Sequence, residues 1–444
     1  MKLAEAAEYL AEKAKKAGVT EFDILGSSSE SFGLEVFEKN ISNTEISIGT
    51  GIGIRLFSSK KMGLSYTERF TKESIDQCLK DAVSNSEITD ILDLDLPGRQ
   101  PIPDVDLKTY SEDLEKIEFN DLADLCFRME KAADGKDQRI ENIPYIGSGK
   151  SKSEYIFLNS NDVKYHLQYN SVSAYIGITS KENSQKKMGM YSNAYRKFSE
   201  FNPDFFASKA VERSVELLGA KPVASAEYPV IISNRVSASL IGMFLSPYFA
   251  ESVQKKQSRL SGRLNEKIGS PVVSLVSRPH LPEMPGSRLL DGEGVPTKDI
   301  TLVEKGVLKN FLYHLESAKK DGVAPTGSGQ RSYSGKAYTS VSNLFFEKGN
   351  ESLESLMKKY PKCILITKLE GSSGCSALSG DISIGVQGFL VENGERVHPV
   401  DGITMNTNYF DLLYKISAAS DEYSDSYSSI KVPDLLIESV NIAG

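Results

Sequence analysis

Up to Gly18 the apolar residues recur with a helical period; beyond it they fall in short strand-like runs, and no helix pattern returns until Thr71. Leu3, Ala6, Ala7, Leu10, Ala11 and Ala14 mark one helical face, and Gly18 supplies its stop. Short β-branched and aromatic runs follow at residues 21–25, 33–37, 43–48 and 53–57. A turn at Ser58-Ser59-Lys60-Lys61 and Gly63 leads into one more strand. Thr71 then caps a helix carrying Ile75, Cys78, Leu79, Ala82 and Val83. Helix, several strands, helix is an α+β pattern, not the alternation that builds a doubly wound parallel sheet.

The chain has 444 residues, too many for one ordinary core, so more than one domain is expected. Residues 91–110 are rich in Asp and Pro without a sustained period and read as a linker. A second unit follows, with a helix near 121–133, strands near 155–180, and a helix opened by the cap and first-turn pair Asn202-Pro203. Beyond residue 225 the sequence is mostly strand-like, with a hairpin turning at Glu304-Lys305-Gly306 and short helices near 236–245, 352–359 and 409–417. The expected layout is an N-terminal α+β domain (1–110), a middle α+β extension (111–225) and a mainly antiparallel β-rich C-terminal domain (226–444).

Charge and cysteine content narrow the function. A formal net charge of −8 and no basic run argue against direct nucleic-acid binding, which relies on neutralising phosphates. The four cysteines, Cys78, Cys126, Cys363 and Cys375, are scattered with no C-x-x-C pair, so neither a zinc knuckle nor a redox dithiol is signalled and a reducing compartment is expected. Glu5, Glu8 and Glu12 interrupt the stretch where a leader needs an apolar core. No run approaches the length of a membrane span. The expectation is a cytoplasmic protein that does not engage the membrane.

Several motif-like stretches lose their force on inspection. Gly147-Ser148-Gly149-Lys150-Ser151 has the tail of a phosphate-binding loop, but Pro144 stands where its first glycine belongs and a strand follows instead of a helix; it reads as a turn. Gly49, Gly51 and Gly53 lie between strands and read as a bulge or a closely packed strand. His166, His280, His314 and His398 are far apart in sequence, and no H-E-x-x-H occurs. The acidic pair Asp291 and Glu293 reads as an ordinary turn. Cys375, in the loop Gly371, Ser372, Ser373, Gly374, Cys375 with Asp381 and His398 downstream, would be a nucleophile only if a base lay beside it.

Three stretches carry a family likeness. Residues 289–322, LLDGEGVPTKDITLVEKGVLKNFLYHLESAKKDG, resemble a signature of the TldD/PmbA family: an acidic-glycine turn E-G-x-P-T, then "lvekGvLk.fl", then a helix with a small residue near its middle. Residues 51–67, GIGIRLFSSKKMGLSYT, are similar to the family's "GlgvRvf.dgr.G.a.t". Residues 369–395 and the closing Ile442-Ala443-Gly444 resemble the PmbA (TldE) branch, the family otherwise known as modulators of DNA gyrase. Cys375 departs from the small aliphatic residue expected in that loop.

The resemblance implies a division of labour. TldD-type chains carry a metal-holding H-E-x-x-x-H helix and a C-terminal cysteine. An ungapped placement on residues 228–245 and beyond puts Gly242, Met243 and Pro247 where His, Glu and His would stand, and residues 420–430 offer no cysteine. The resemblance therefore implies a metal-free subunit of a TldD-type cytosolic metallopeptidase acting on peptides or unfolded proteins. It would have no cofactor of its own, zinc being expected only in the partner. That partner is a TldD-type chain in a heterodimer, or a second copy in a homodimer. Residues 371–375 and Asp381 would line a peptide groove. The alternatives are a peptide-binding homodimer without catalysis, or an independent hydrolase using Cys375.

Overall fold

The computed structural model describes residues 1–444. The first helix, α1 (Leu3–Lys16), is followed by strands β1 (Glu21–Phe37), β2 (Asn40–Ser58) and β3 (Lys61–Thr67) and helix α2 (Lys72–Ile88). The short runs expected at 21–57 are thus two long strands. Between the expected runs, residues 26–31 of β1 are glycine, serine and glutamate, with little β propensity of their own. β1 is nevertheless hydrogen-bonded on both sides along most of its length, and that pairing, not propensity, extends the strand.

A short turn of helix, α3 (Glu112–Glu115), and α4 (Phe119–Ala133) lead into β4 (Ile140–Asn159), β5 (Lys164–Glu182), β6 (Gln185–Tyr195) and α5 (Pro203–Val215). These six strands form one antiparallel sheet in the order β3-β2-β1-β4-β5-β6. The segments on either side of residue 110 therefore share a sheet, joined by the pairing of β1 with β4. Strand alternation assigns its two faces. Phe22, Ile24, Ile52, Ile54 and Leu56 pack under α1 and α2, while Leu34, Val36, Val172, Ala174 and Ile176 pack under α4 and α5. The odd-numbered positions 23 and 25 of β1, and 51, 53 and 55 of β2, face the other way, toward the C-terminal half.

That half begins with β7 (Ala226–Ile232), α6 (Asn234–Gly242) and α7 (Ala250–Gln254). Short strands β8 (Leu275–Ser277), β9 (Ile300–Glu304) and β10 (Val307–Leu308) precede α8 (Leu315–Asp321). The pair β11 (Gly329–Gln330) and β12 (Tyr338–Thr339), β13 (Leu344–Phe346) and α9 (Leu353–Met357) come next. Longer strands β14 (Lys362–Glu370), β15 (Asp381–Glu392) and β16 (Glu395–Asn408) are followed by α10 (Tyr409–Lys415), β17 (Ile416–Tyr423), β18 (Ile430–Lys431) and β19 (Pro433–Ala443). The order β16-β15-β14-β7-β19-β17 is antiparallel except at β14–β7, and β19 also pairs with β16, closing five strands on themselves. Val230, Ile232, Ile364, Ile366, Ile384, Val386, Met405 and Leu435 belong to the enclosed core. A second sheet, β10-β9-β8-β13-β18, lies alongside. The expected hairpin at 301–312 forms, with Lys305 and Gly306 both at positive φ (47° and 80°), the geometry of a tight two-residue turn.

Two glycine-rich stretches take on meaning here. Gly147–Ser151, expected as a turn, lies inside β4, with each residue paired to both β1 and β5. A Cβ on Gly147 would come within 2.4 Å of the Tyr175 ring, so glycine serves close packing here and not a bend. Gly51 and Gly53 likewise admit Tyr333 from the C-terminal half. A Cβ at 53 would meet its carbonyl oxygen at 1.8 Å, and one at 51 its ring at 2.3 Å.

Candidate functional site

Ser233 opens α6, its hydroxyl accepting from the Arg235 N–H at 3.4 Å. The buried Asp434 carboxylate accepts from the N–H of Asn234 at 2.7 Å and from the Ser420 hydroxyl at 2.7 Å. On the exposed side the Arg235 guanidinium reaches Glu216 (2.6 Å) and Glu212 (3.3 Å), tying the helix to α5. The helix ends at Gly242, and Pro247 lies in a separate 3-10 turn, Ser246–Tyr248. A proline, lacking an N–H, opens such a turn more readily than it extends a helix.

Gly242 faces the C-terminal segment: a Cβ there would stand 3.1 Å from Cδ1 of Ile430. The fold thus juxtaposes the α6 terminus with the segment around 420–430, and an isoleucine methyl fills the contact. Met243 packs against the adjoining core. Glycine and proline bring no donor atom and methionine only a soft thioether, so these three positions do not fit a zinc site, which needs imidazole, thiolate or carboxylate ligands. No group of three or more His, Cys, Asp or Glu side chains gathers anywhere in a way that could hold a metal. Each histidine is engaged separately: His166 with Glu154, His280 with Thr297, buried His314 with Thr339 and Ser317, His398 with the Pro399 carbonyl.

The loop joining β14 to β15 contains Gly371, Ser372, Ser373, Gly374 and Cys375. Gly371 takes a positive φ (77°). Gly374 lies so close to Ser383 that a Cβ would be 1.9 Å from its carbonyl oxygen. Asp381, at the start of β15, accepts from the Ser379 hydroxyl (2.7 Å) and the Asn408 amide (3.1 Å), which hold its carboxyl below the usual range. Cys375 is half-buried, and burial pushes its thiol up against a smaller opposing effect of the Ser383 N–H. His398 is not beside it. Cys375 bridges to Ile382, whereas His398 pairs with Leu390 further along β15, roughly 25 Å away at ordinary strand rise. A raised thiol without a base is a poor nucleophile.

Between the six-stranded sheet and the C-terminal half lies a buried ionic cluster that the sequence reading passed over. Asp23 and Arg55 are directly paired across β1 and β2, with Arg55 Nε donating to Asp23 at 2.9 Å. Arg55 Nη1 donates to Glu293 at 2.7 Å, and Arg331 reaches the other oxygen of Asp23. Glu293 also accepts from the Leu315 N–H at the start of α8 (2.8 Å). Burial alone would raise Asp23, but Arg331 and Arg55 outweigh it and hold the carboxyl below its usual value. Asp291, two residues from Glu293, accepts three backbone N–H groups, from Glu293, Val295 and Gly329. Burial and then the Glu293 carboxylate push it up to about 7 all the same. The sequence did hold a signal: Asp23 and Arg55 each interrupt an apolar strand, and a charge there points to a buried partner.

Family models describing the PmbA/TldA metallopeptidase domain 1, central domain and C-terminal domain match residues 22–86, 112–218 and 225–444. The chain belongs to the PmbA/TldD metallopeptidase family. Among its family relatives, the metalloprotease PmbA homolog of Haemophilus influenzae is 25% identical over 100% of this chain and 96% of its own length. The metalloprotease TldD homolog of the same organism is 22% identical, over 89% of this chain and 84% of its own. The crystal structure of a candidate DNA gyrase modulator from Thermotoga maritima superposes with a TM-score of 0.90 at 28% identity, covering 99% of this chain and 100% of that one. TldE from Thermococcus kodakarensis, at 23% identity and a TM-score of 0.88 over 99% and 100% of the two chains, has the same fold. The PmbA/TldD-like stretches 51–67 and 289–322 are the ones that bring Arg55 and Glu293 together.

Proposed function

We propose that this chain is the metal-free, PmbA/TldE-like subunit of a TldD-type peptidase acting on peptides or unfolded proteins. The single observation that supports it most is the end of α6. Gly242 abuts the Ile430 methyl and Pro247 opens a 3-10 turn, so the positions aligned with a zinc-binding helix carry no ligand. A metallopeptidase site needs about three protein ligands and one open position; a TldD-type partner, in a heterodimer, would provide them. The peptide groove would draw on the loop at Gly371, Ser372, Ser373, Gly374 and Cys375 and on Asp381, and the complex would work in the cytoplasm. No helix is long and apolar enough to cross a membrane.

The reading is tested by assaying peptide hydrolysis with this chain alone, with a TldD-type chain alone, and with the two mixed, each with and without a chelator. Chelator-sensitive activity that appears or rises only in the mixture is expected. Chelator-sensitive activity of the isolated chain overturns the proposal. A homodimer that binds peptide without catalysis gains support from β2, where residues 40–51 pair only with β1 and expose Ile46 and Ile48. An open strand edge of this kind can take up another strand.

A further inference from the structure

β6 is an edge strand of the six-stranded sheet, and its Gly189 lies so close to α5 that a Cβ would be 2.2 Å from the Ser214 nitrogen. Strand alternation then turns Met188 and Met190 to the other face, where they stay 42% and 45% exposed. With Leu217 just after α5, Val236 in the first turn of α6, and Thr367 and Lys368 toward the end of β14, they border a cleft of about 350 Å³. It lies at the seam between the middle segment and the C-terminal half, at the opposite end of α6 from Gly242.

The charges that line this cleft do not balance. Arg213, Arg235 and Lys368 reach it, with Glu216 as the one acid. Glu216 is committed to Arg235 at 2.6 Å, and its other oxygen has Arg396 at 3.9 Å. The acids just outside are engaged too: Glu212 with Lys209 (3.0 Å), Asp425 with the Tyr191 hydroxyl (2.6 Å) and Asp401 with Lys187. Arg213 and Lys368 have no ion pair. The Arg213 guanidinium is held over the Tyr191 ring, 5.0 Å from its centroid, and by Nη1 donating to the Met190 carbonyl at 2.8 Å. Its Nε is sealed in packed protein, but Nη2, equally without a partner, is not. Lys368 is half-buried, and its ammonium makes no hydrogen bond. Burial, and after it the Arg235 charge, hold Arg213 below its usual value. Two positioned cations in a partly desolvated cleft attract negative charge more strongly than the same pair in open water would.

We propose that this cleft binds a small organic anion, its charged head between Arg213 Nη2 and the Lys368 ammonium and its apolar body against Met188, Met190, Leu217 and Val236. Sites for small molecules are lined mainly by apolar groups with a few placed polar ones, in clefts upward of about 300 Å³. The flexible thioethers of the two methionines adapt to an irregular body more readily than branched side chains would. Each cation offers a separate donor and not the two-pronged edge of a guanidinium, so a carboxylate and a phosphate monoester both satisfy the pair. The inference does not depend on the subunit role proposed above.

Nuclear magnetic resonance of the full chain with carbon-labelled methionine methyls tests it, during titration with hexanoate, hexyl phosphate and the neutral hexanamide. The Met188 and Met190 signals, assigned through Met188→Leu and Met190→Leu, are expected to move saturably with an anion. That anion should bind at least about tenfold more tightly than hexanamide, which forfeits the charge-assisted bonds. The tighter of the two anions identifies the head group the cleft prefers. Lys368→Gln should weaken anion binding severalfold while leaving the circular dichroism unchanged, and Arg213→Gln should weaken it further. Equal affinity for the anions and the amide, unchanged anion binding in Lys368→Gln, or no movement of these two signals at millimolar concentration overturns the proposal. Should Arg213→Gln fail to fold, the anion–amide comparison on the parent chain and the Lys368→Gln result decide it.

Discussion

Arg55 donates to carboxylates from opposite halves of the chain, Asp23 on β1 and Glu293 beyond residue 225. Neither acid is exposed, so removing the cation strands two buried charges. Arg55→Met is expected to destabilise the protein by about 3–5 kcal/mol, read by urea denaturation followed through circular dichroism; a loss under about 1 kcal/mol would show the cluster to be water-filled or slack. Asp291 gives a pH signature of the opposite kind from Asp23. Its folded value of about 7 lies above the unfolded value near 3.9, so the folded chain holds a proton that the unfolded chain releases. The stability this gives is complete below about pH 4 and is lost as the pH rises toward 7. Asp23, held low, contributes stability that is present above about pH 4 and lost on further acidification. Melting temperatures taken between pH 5 and 8 should therefore fall with pH, and Asp291→Asn should flatten that slope. An unchanged slope would place the proton elsewhere. Cys375→Ala should leave any peptidase activity of the mixed chains intact, because a raised thiol with no neighbouring histidine is a poor nucleophile; a loss of activity would contradict this.

At the scale of elements, β2 is the surface on which the two halves meet. Gly51 and Gly53 lie flat against Tyr333, and the segment holding Tyr333 follows Arg331, which reaches Asp23. Gly53→Ala would drive a methyl into a backbone carbonyl that cannot rotate away. It should cost about 1–3 kcal/mol and expose residues 329–335 to protease and to hydrogen exchange, leaving the exchange of β14 and β15 as it was. Faster exchange throughout would mean that the sheet itself had failed, not its docking. The alternating glycines are visible in the sequence as a place of close approach. That the approaching group is Tyr333, hundreds of positions away, depends on how the halves dock.

Across the whole molecule, the family likeness and the α+β class were legible because they rest on local signals: period, caps, turn residues and ordered motifs. Helices α1, α2 and α5 start and stop where Gly18, Thr71 and Asn202-Pro203 place them. The absence of histidine and cysteine from the α6 end and from residues 420–430 is likewise a property of composition, and no fold can supply the missing atoms. It sets an expectation for the purified, untagged chain: elemental analysis should find no stoichiometric zinc. About one tightly held metal ion per chain would require ligands gathered from elsewhere. What only the tertiary structure decided are the partnerships of distant groups. Whether Asp291 and Glu293 are a solvated turn or a buried pair, and whether Cys375 meets His398, depend on burial and on strand register. A residue's neighbours in sequence carry no record of either, because both are set by which faces of the sheet and the closed barrel come together.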